Sequence, residues 1–293
     1  MQVCQCTWSG LLSCLVPALV LAAPDAPEDA APLPLTPAIE QRLAAAAQSE
    51  ADRGISAYEP VYFSGGGNPG GEGPVNAKFQ FSLKYRVVTP DDDQRLRWWE
   101  QLYFGYTQTS VWDLESNSKP FRDSSYRPAI FYENPQVTRI PALTGLLGMR
   151  AGIEHESNGK EEPDSRSINI AFIRPTLTLP ATREQGYVWS FAPKLYAYLE
   201  KSENRDIADY RGYGDFQVKL THPETWEYLL TLRKGMKDNH GSIQLDASYP
   251  FRGLLRNLNG YLHLQYFNGH GESILDYDRK LPSQLRIGLI VVR

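Results

Sequence analysis

Apolar and polar residues alternate with a period of two along this chain, in repeated segments of about ten residues, and few folds accommodate that pattern. In one segment Phe79, Phe81 and Leu83 share a face, because successive side chains of a strand point to opposite sides. Strands of this length and alternation are typical of a transmembrane β-barrel. Twelve such segments are predicted at roughly 56–64, 77–88, 99–111, 126–133, 146–157, 167–179, 187–199, 211–221, 225–235, 241–249, 258–267 and 284–292.

The predicted fold is therefore all-β: a 12-stranded antiparallel transmembrane β-barrel with a short N-terminal helical or disordered periplasmic extension. The apolar run Leu11–Ala23 ends in small residues and is too short to span a bilayer, which predicts a signal peptide over residues 1–23. Residues 24–54 are predicted to form a periplasmic linker rich in Pro, Ala and acid, followed by a short helix. Residues 55–293 form the predicted barrel domain.

Composition limits the class of function. The chain has 30 basic and 34 acidic residues and a net charge of −4, which argues against a nucleic-acid partner. Its 17 tyrosines and 6 tryptophans suit strands and membrane interfaces. All 3 cysteines precede the predicted cleavage site, so the mature chain would carry no thiol, which fits export.

Three polar residues interrupt apolar strand faces where two neighbouring segments meet. His155 and Ser157 share the face of Ile153, and Asn169 shares the face of Ile173 on the next strand. A serine hydroxyl needs a neighbouring base to become a nucleophile, and a third polar group can hold that base in the productive tautomer. The pattern predicts a Ser-His-Asn hydrolase site; the alternative is a polar strand end running into a loop.

The same stretch resembles the outer-membrane phospholipase A family of Gram-negative bacteria. The matching motifs are His-x-Ser-Asn-Gly at 155–159 and Ser-Arg-Ser-x-Asn at 165–169. Further matches are YTQ at 106–108, SNSKPFR at 116–122 and GESILDY at 271–277. The resemblance extends from about Tyr58 to the C-terminus.

This resemblance implies a calcium-dependent phospholipase A1/A2 that hydrolyses acyl esters of phospholipids and lysophospholipids at the outer leaflet. Carried over by position, Ser157 is the nucleophile, His155 the general base, and Asn169 the residue that orients His155. The backbone N–H of Gly159 contributes to the oxyanion site.

The resemblance also implies a Ca²⁺ site and a homodimer. The expected ligands are the carbonyl of Lys160, the side chain of Ser165, and Ser118 contributed by the partner subunit. Gln108 is expected at the dimer interface, with a lumen-side or rim position as its alternative. The expected location is the outer membrane, with the N-terminus in the periplasm and phospholipid as the other partner.

The main competing hypothesis is a non-enzymatic barrel, either a small channel or a structural protein. Twelve strands enclose a narrow lumen, and inward charges such as Arg150, Glu154 and Arg174 are expected to fill it by pairing. A further alternative is an esterase that acts on lipid A acyl chains by the same chemistry.

Overall fold

The fold is described from a computed structural model that covers residues 54–71, 75–90, 96–118, 120–143, 145–180, 186–222, 224–251 and 260–292. The predicted signal peptide at 1–23 lies outside these residues. So does the predicted linker and helix at 24–54, apart from Gly54.

The described residues form one closed antiparallel barrel, as the alternation predicts. Each of its 12 strands pairs with its sequence neighbours, and β2 closes the barrel by pairing with both β3 and β13. A two-residue strand, β1, pairs only with β3. The strands are β1 (Ile55–Ser56), β2 (Val61–Gly67), β3 (Asn76–Arg86), β4 (Leu102–Asp113), β5 (Phe121–Ile140), β6 (Gly145–Ser157), β7 (Ser167–Pro180), β8 (Val188–Glu200), β9 (Gly214–Thr221), β10 (Glu227–Lys234), β11 (Gly241–Pro250), β12 (Tyr261–His270) and β13 (Lys280–Val292).

Helical structure in the described ranges is limited to short connections. Three single-turn 3₁₀ helices lie at Trp98–Gln101, Pro141–Leu143 and Ser202–Asn204. One α-helix, α1, spans Ile207–Arg211 between β8 and β9. None of the helices in these ranges is long and apolar enough to cross a membrane.

Several predicted boundaries are wrong, and those at β5, β2 and β9 are examples. The segment predicted at 126–133 is the middle of β5, which continues to Ile140 through an irregularity between Asn134 and Thr138. The segment predicted at 56–64 is broken, because the chain leaves the sheet between β1 and β2. The segment predicted at 211–221 starts as strand only at Gly214. In each case long-range contacts, which local alternation does not encode, decide where pairing stops.

The barrel has an apolar exterior and a charged interior. Exterior side chains such as Ile153, Phe104 and Ile287 are 54%, 42% and 62% exposed. Inside, Glu154 pairs with Lys194 at 2.9 Å, and Arg150 lies 3.2 Å from both Glu59 and Glu133. Buried charges are stable only when they are paired. The prediction that inward charges fill the lumen by pairing is confirmed.

The turn before β2 enters the lumen and supplies one of these charges. Tyr58 stacks on Phe131 with ring centroids 4.8 Å apart, and Glu59 accepts a hydrogen bond from Arg174 at 3.0 Å. A Cβ atom at Gly105 would lie 2.8 Å from Phe131 and 3.1 Å from Tyr58, so this packing requires glycine there. The turn thus fills the end of the lumen that lies away from the predicted site.

Loops close the other end of the lumen. Ile207 of α1 and Ile274 of the β12–β13 connection are fully buried in one apolar cluster with Ile168 and Phe172 of β7. The carboxylate of Glu272, on the same connection, contacts Lys78 at 3.1 Å and Arg286 at 2.6 Å. This closed end carries the loops that surround the candidate site, and it is called the site end below.

Candidate active site

The antiparallel pairing of β6 with β7 places His155 directly opposite Asn169. His155 Nδ1 and Asn169 Oδ1 are 2.8 Å apart, a hydrogen-bond distance. Both side chains are half-buried and point away from the lumen, since Glu154 and Ile170, the residues adjacent in sequence, are buried inside. Two of the three predicted site residues are therefore joined, on the exterior of the barrel.

Ser157 is the last residue of β6 and lies two positions beyond His155 on the same face. It is half-buried and stands between Ser167 of β7 and Tyr126 of β5 in the sheet register. Within the described ranges its hydroxyl has no hydrogen-bond partner, His155 included. Catalytic hydrogen bonds commonly tighten only when substrate is bound, so this geometry leaves the hydroxyl free to react.

The loop between β6 and β7 holds three more predicted site residues. Gly159 has a φ of +64°, a left-handed conformation that favours glycine. An added Cβ there would contact the ring of Tyr126 at 3.4 Å. The conformation turns the chain two residues after the serine, at the start of the β6–β7 loop.

The donor atoms of this loop fit the ligand preference of calcium, a hard cation that takes oxygen ligands. Lys160 offers a backbone carbonyl and Ser165 a hydroxyl, and Ser165 Oγ donates to the carboxylate of Glu203 at 3.0 Å. No cluster of three or more His, Cys, Asp or Glu residues suited to a metal occurs among the described residues. A metal here would therefore rest on carbonyl and hydroxyl oxygens.

Ser118 lies on a different loop, between β4 and β5, and is exposed. Its φ of +67° is unusual for a residue other than glycine. No hydrogen bond in the part of the chain that the structure describes joins Ser118 to Lys160 or Ser165. The structure therefore brings Lys160 and Ser165 together on one loop and leaves Ser118 outside it.

Gln108 lies on the exterior of β4, on the same alternation as the exposed Phe104. Its amide is satisfied within the chain, because Oε1 accepts from Tyr106 Oη at 3.1 Å and Nε2 donates to Ser110 Oγ at 3.3 Å. In register it pairs with Tyr126, which in turn pairs with Ser157. The alternative lumen-side position is excluded by this geometry.

Sequence reasoning missed the residues that support the site from inside. Glu156, between His155 and Ser157, accepts hydrogen bonds from Arg211 of α1 at 2.9 Å and from Ser125 at 2.8 Å. Asn204 donates to the carbonyl of Ser167 at 2.6 Å. The alternation of side chains assigns Glu156 to the lumen, but nothing in the sequence identifies Arg211 as its partner, because Arg211 stands at the start of a predicted strand segment.

The arrangement provides a nucleophile candidate, an imidazole held by an amide oxygen, and an adjacent turn at Gly159. The side chains of Ser157, His155 and Asn169 lie on the outward face of the apolar wall of the barrel. A reactant would therefore arrive from the exterior, where hydrocarbon chains can lie against the wall, and not through the lumen.

The family model and the relatives that match this chain share one description, phospholipase A1. The family model described as phospholipase A1 matches residues 54–291. A putative phospholipase A1 of Neisseria meningitidis serogroup B is 32% identical over 219 residues, which are 74% of this chain and 54% of that protein. Phospholipase A1 of Proteus vulgaris is 31% identical over 223 residues, 73% of this chain and 68% of that protein. The chain thus spans about half to two thirds of the length of these relatives.

Solved structures share the fold. Outer membrane phospholipase A from Escherichia coli superposes with a TM-score of 0.68 at 22% identity, covering 84% of this chain and 96% of that one. An outer membrane phospholipase of Salmonella typhi, described as a dimer with bound calcium, superposes with the same TM-score of 0.68 at 22% identity. That match covers 83% of this chain and 94% of the Salmonella chain.

Proposed function

The chain belongs to the phospholipase A1 family, and we propose on that basis that it hydrolyses the acyl ester bonds of phospholipids and lysophospholipids. The proposed catalytic residues are Ser157, His155 and Asn169. The observation that carries the proposal is the 2.8 Å contact between His155 Nδ1 and Asn169 Oδ1 on the exterior face that also bears Ser157.

The chemistry follows from which imidazole nitrogen carries the proton. Asn169 Oδ1 can only accept, so the bond fixes the proton of neutral His155 on Nδ1 and leaves Nε2 as the base. Ser157 Oγ attacks the ester carbonyl carbon while His155 takes the hydroxyl proton. Collapse of the tetrahedral intermediate expels the glycerol oxygen, which receives that proton from His155. Water, deprotonated by His155, then attacks the acyl carbonyl carbon, and His155 returns the proton to Ser157 Oγ as it leaves, which releases the fatty acid.

The oxyanion of the intermediate is stabilised by the N–H of Gly159 in this proposal. One such donor is typically worth about 3 kcal/mol in the transition state. The carbonyl of Lys160 and the hydroxyl of Ser165 would hold calcium beside it, with Ser118 of a second copy completing the site. When bound, calcium supplies positive charge near the developing oxyanion.

The remaining assignments complete the proposal. The proposed location is an outer membrane, with the site end at the outer leaflet and the N-terminus in the periplasm, and the apolar exterior of the barrel supports it. The active form is a homodimer, since one calcium ligand comes from the other copy, and Gln108 lies at the interface. The calcium and dimer assignments are supported by the family resemblance and by the oxygen donors of the β6–β7 loop.

The test is release of fatty acid from mixed phospholipid–detergent micelles by the folded protein. Ser157→Ala is expected to lower the rate at least about 10³-fold, because the nucleophile is removed. Ser190→Ala is the matched control, a strand serine 3.5 Å from Thr178 near the other end of the barrel, and should keep the wild-type rate. A chelator should abolish activity in the wild type without unfolding the barrel. Full activity in Ser157→Ala would refute the proposed nucleophile.

The channel hypothesis is tested on the same preparation. In the described residues, paired inward charges line a cavity of about 230 Å³ in the lumen, and loops close the site end. Planar-bilayer recordings are therefore expected to show no steady conductance. Ion conductance together with no fatty-acid release would favour the channel.

A further inference from the structure

Asn158 lies between the proposed nucleophile Ser157 and the proposed oxyanion donor Gly159, and its side chain is 4% exposed. We propose that Asn158 is a positioning residue, whose amide fixes the β6–β7 loop so that the N–H of Gly159 faces the reacting carbonyl. This inference deepens the proposed function and rests on it.

Both the oxygen and the nitrogen of the Asn158 side-chain amide form hydrogen bonds to the backbone of the β6–β7 loop. Oδ1 accepts from the backbone N–H of Arg166 at 3.0 Å and from that of Lys160 at 3.3 Å. Nδ2 donates to the carbonyl of Asp164 at 2.8 Å. The backbone N–H of Asn158 donates to the carbonyl of Arg166 at 3.1 Å. One buried side chain thereby joins the first and last residues of the loop.

These hydrogen bonds hold the residues on either side of Gly159, the proposed oxyanion donor. Gly159 is the single residue between Asn158 and Lys160, and both of those residues are held by the same amide. Glycine has more conformational freedom than any other residue, and its φ of +64° would not be kept by the glycine itself. The amide of Asn158 therefore limits the directions in which the Gly159 N–H can point.

The far side of the loop is held separately, which isolates the part played by Asn158. Lys160 Nζ donates to the carbonyl of Arg122 at 2.7 Å, and Ser165 Oγ donates to Glu203. These contacts attach the loop to its surroundings. They do not set the local turn at Gly159, so loss of the Asn158 amide should loosen the turn without releasing the loop from the barrel.

Charge also favours an amide over a carboxylate at position 158. Aspartate has the same size and keeps the acceptor oxygen, but it replaces the Nδ2 donor with an oxygen that faces the Asp164 carbonyl. It also adds a negative charge next to the residue proposed to stabilise an oxyanion. A residue that merely fills space would tolerate Asn158→Asp, whereas a positioning residue would not.

The experiment compares Asn158→Ala and Asn158→Asp with the wild type, using Gln265→Ala as a matched control. Gln265 is a fully buried amide on β12 that donates to Asp246 and accepts from Arg286, six strands from β6. Three quantities are measured: kcat and KM for fatty-acid release, the thermal midpoint, and backbone hydrogen exchange of the peptide covering residues 159–165.

Both Asn158 variants are expected to lower kcat by about 30-fold or more with KM within about twofold, because the donor acts in the transition state. Exchange in 159–165 should accelerate by about tenfold in Asn158→Ala. Gln265→Ala should lower the thermal midpoint at least as much while leaving kcat and loop exchange unchanged.

A kcat within threefold of wild type in both variants would overturn the proposal, and so would unchanged exchange in the loop. If Asn158→Ala does not fold, the isosteric Asn158→Asp decides. Absence of hydrolysis by the wild type itself would instead refute the proposed function; the exchange measurement would then still report whether Asn158 fixes the loop.

Discussion

The two faces of β6 near its site end satisfy their polar groups in different ways. On the lumen face, Glu154 contacts Lys194 at 2.9 Å and Glu156 contacts Arg211 at 2.9 Å. On the exterior face, one residue away in each case, His155 is held by the neutral amide of Asn169, and Ser157 has no partner within the described residues.

On this one strand, the polar side chains that face the lumen and those that face the exterior are therefore expected to have different roles. Charges inside the barrel have opposite charges beside them, so burial and stability account for them. Polar groups on a wall otherwise built of apolar side chains are costly unless they do something else. Replacement of the exterior residues should therefore change activity and not stability. Replacement of an inward residue away from the site residues' own supports, such as Glu154, should change stability and not activity.

The largest expected effect is that of His155→Ala, which removes the proposed base. We expect kcat to fall by about 10⁴-fold with little change in the free energy of unfolding, since the side chain is half-buried at the wall. Activity and urea unfolding in detergent measure the two. The paired control is Glu154→Gln on the opposite face, which should lose stability and keep kcat. Equal losses of stability in both variants would remove the contrast between the faces.

A smaller effect, on stability alone, is expected at Glu272 in the β12–β13 connection. Burial by itself raises the pKa of the Glu272 carboxyl. The positive charges of Lys78 and Arg286 lower this pKa by a larger amount, so that it falls from 4.5 to about 2. The ionised carboxylate therefore stabilises the fold above about pH 4.5, and this contribution, about 3 kcal/mol, is lost as the pH falls toward 2.

This prediction is checked by measuring the free energy of unfolding between pH 2 and 7. In Glu272→Gln the pH-dependent loss below 4.5 should be reduced by that amount, and stability at pH 7 should be lower than in the wild type. An unchanged pH dependence would show that the Lys78–Glu272–Arg286 cluster does not stabilise the closed end.

Asn169→Ala should have a more modest effect on catalysis. The variant loses the hydrogen bond that orients His155 but keeps the base and the nucleophile, so kcat should fall by about 10- to 100-fold with KM unchanged. Single-turnover kinetics would separate this from slow product release. A loss as large as that of His155→Ala would mean that Asn169 does more than orient the ring.

The smallest effect is expected at Gln108. Its amide is already satisfied by Tyr106 and Ser110, so a second copy can add only a shared bond. Gln108→Leu should weaken dimerisation in detergent by about fivefold, the equivalent of about 1 kcal/mol for a polar contact in hydrocarbon. Sedimentation equilibrium at several protein concentrations measures this. Stronger association in the leucine variant would argue that the interface is purely apolar.

The sequence predicted the barrel and the exterior position of the site for a simple physical reason. Side chains of a strand alternate with period two, so the face of His155, Ser157 and Asn169 depends only on parity and not on distant contacts. The family motifs added their proposed roles. Parity also assigned Arg150, Glu154 and Arg174 to the lumen, where the structure finds them paired.

The alternation of side chains does not predict ion pairs between residues that are far apart in the sequence. The Arg211–Glu156 pair joins a helix turn to β6 across 55 positions, and the Glu272–Lys78 pair spans 194 positions. The entry of Tyr58 and Glu59 into the lumen and the continuation of β5 to Ile140 also depend on what surrounds them. Which face each strand residue occupies thus follows from the local sequence, because side-chain alternation is a local property. Which charges meet and how the site end is closed depend on the folded barrel, because its closure brings together residues whose separation along the chain carries no periodic signal.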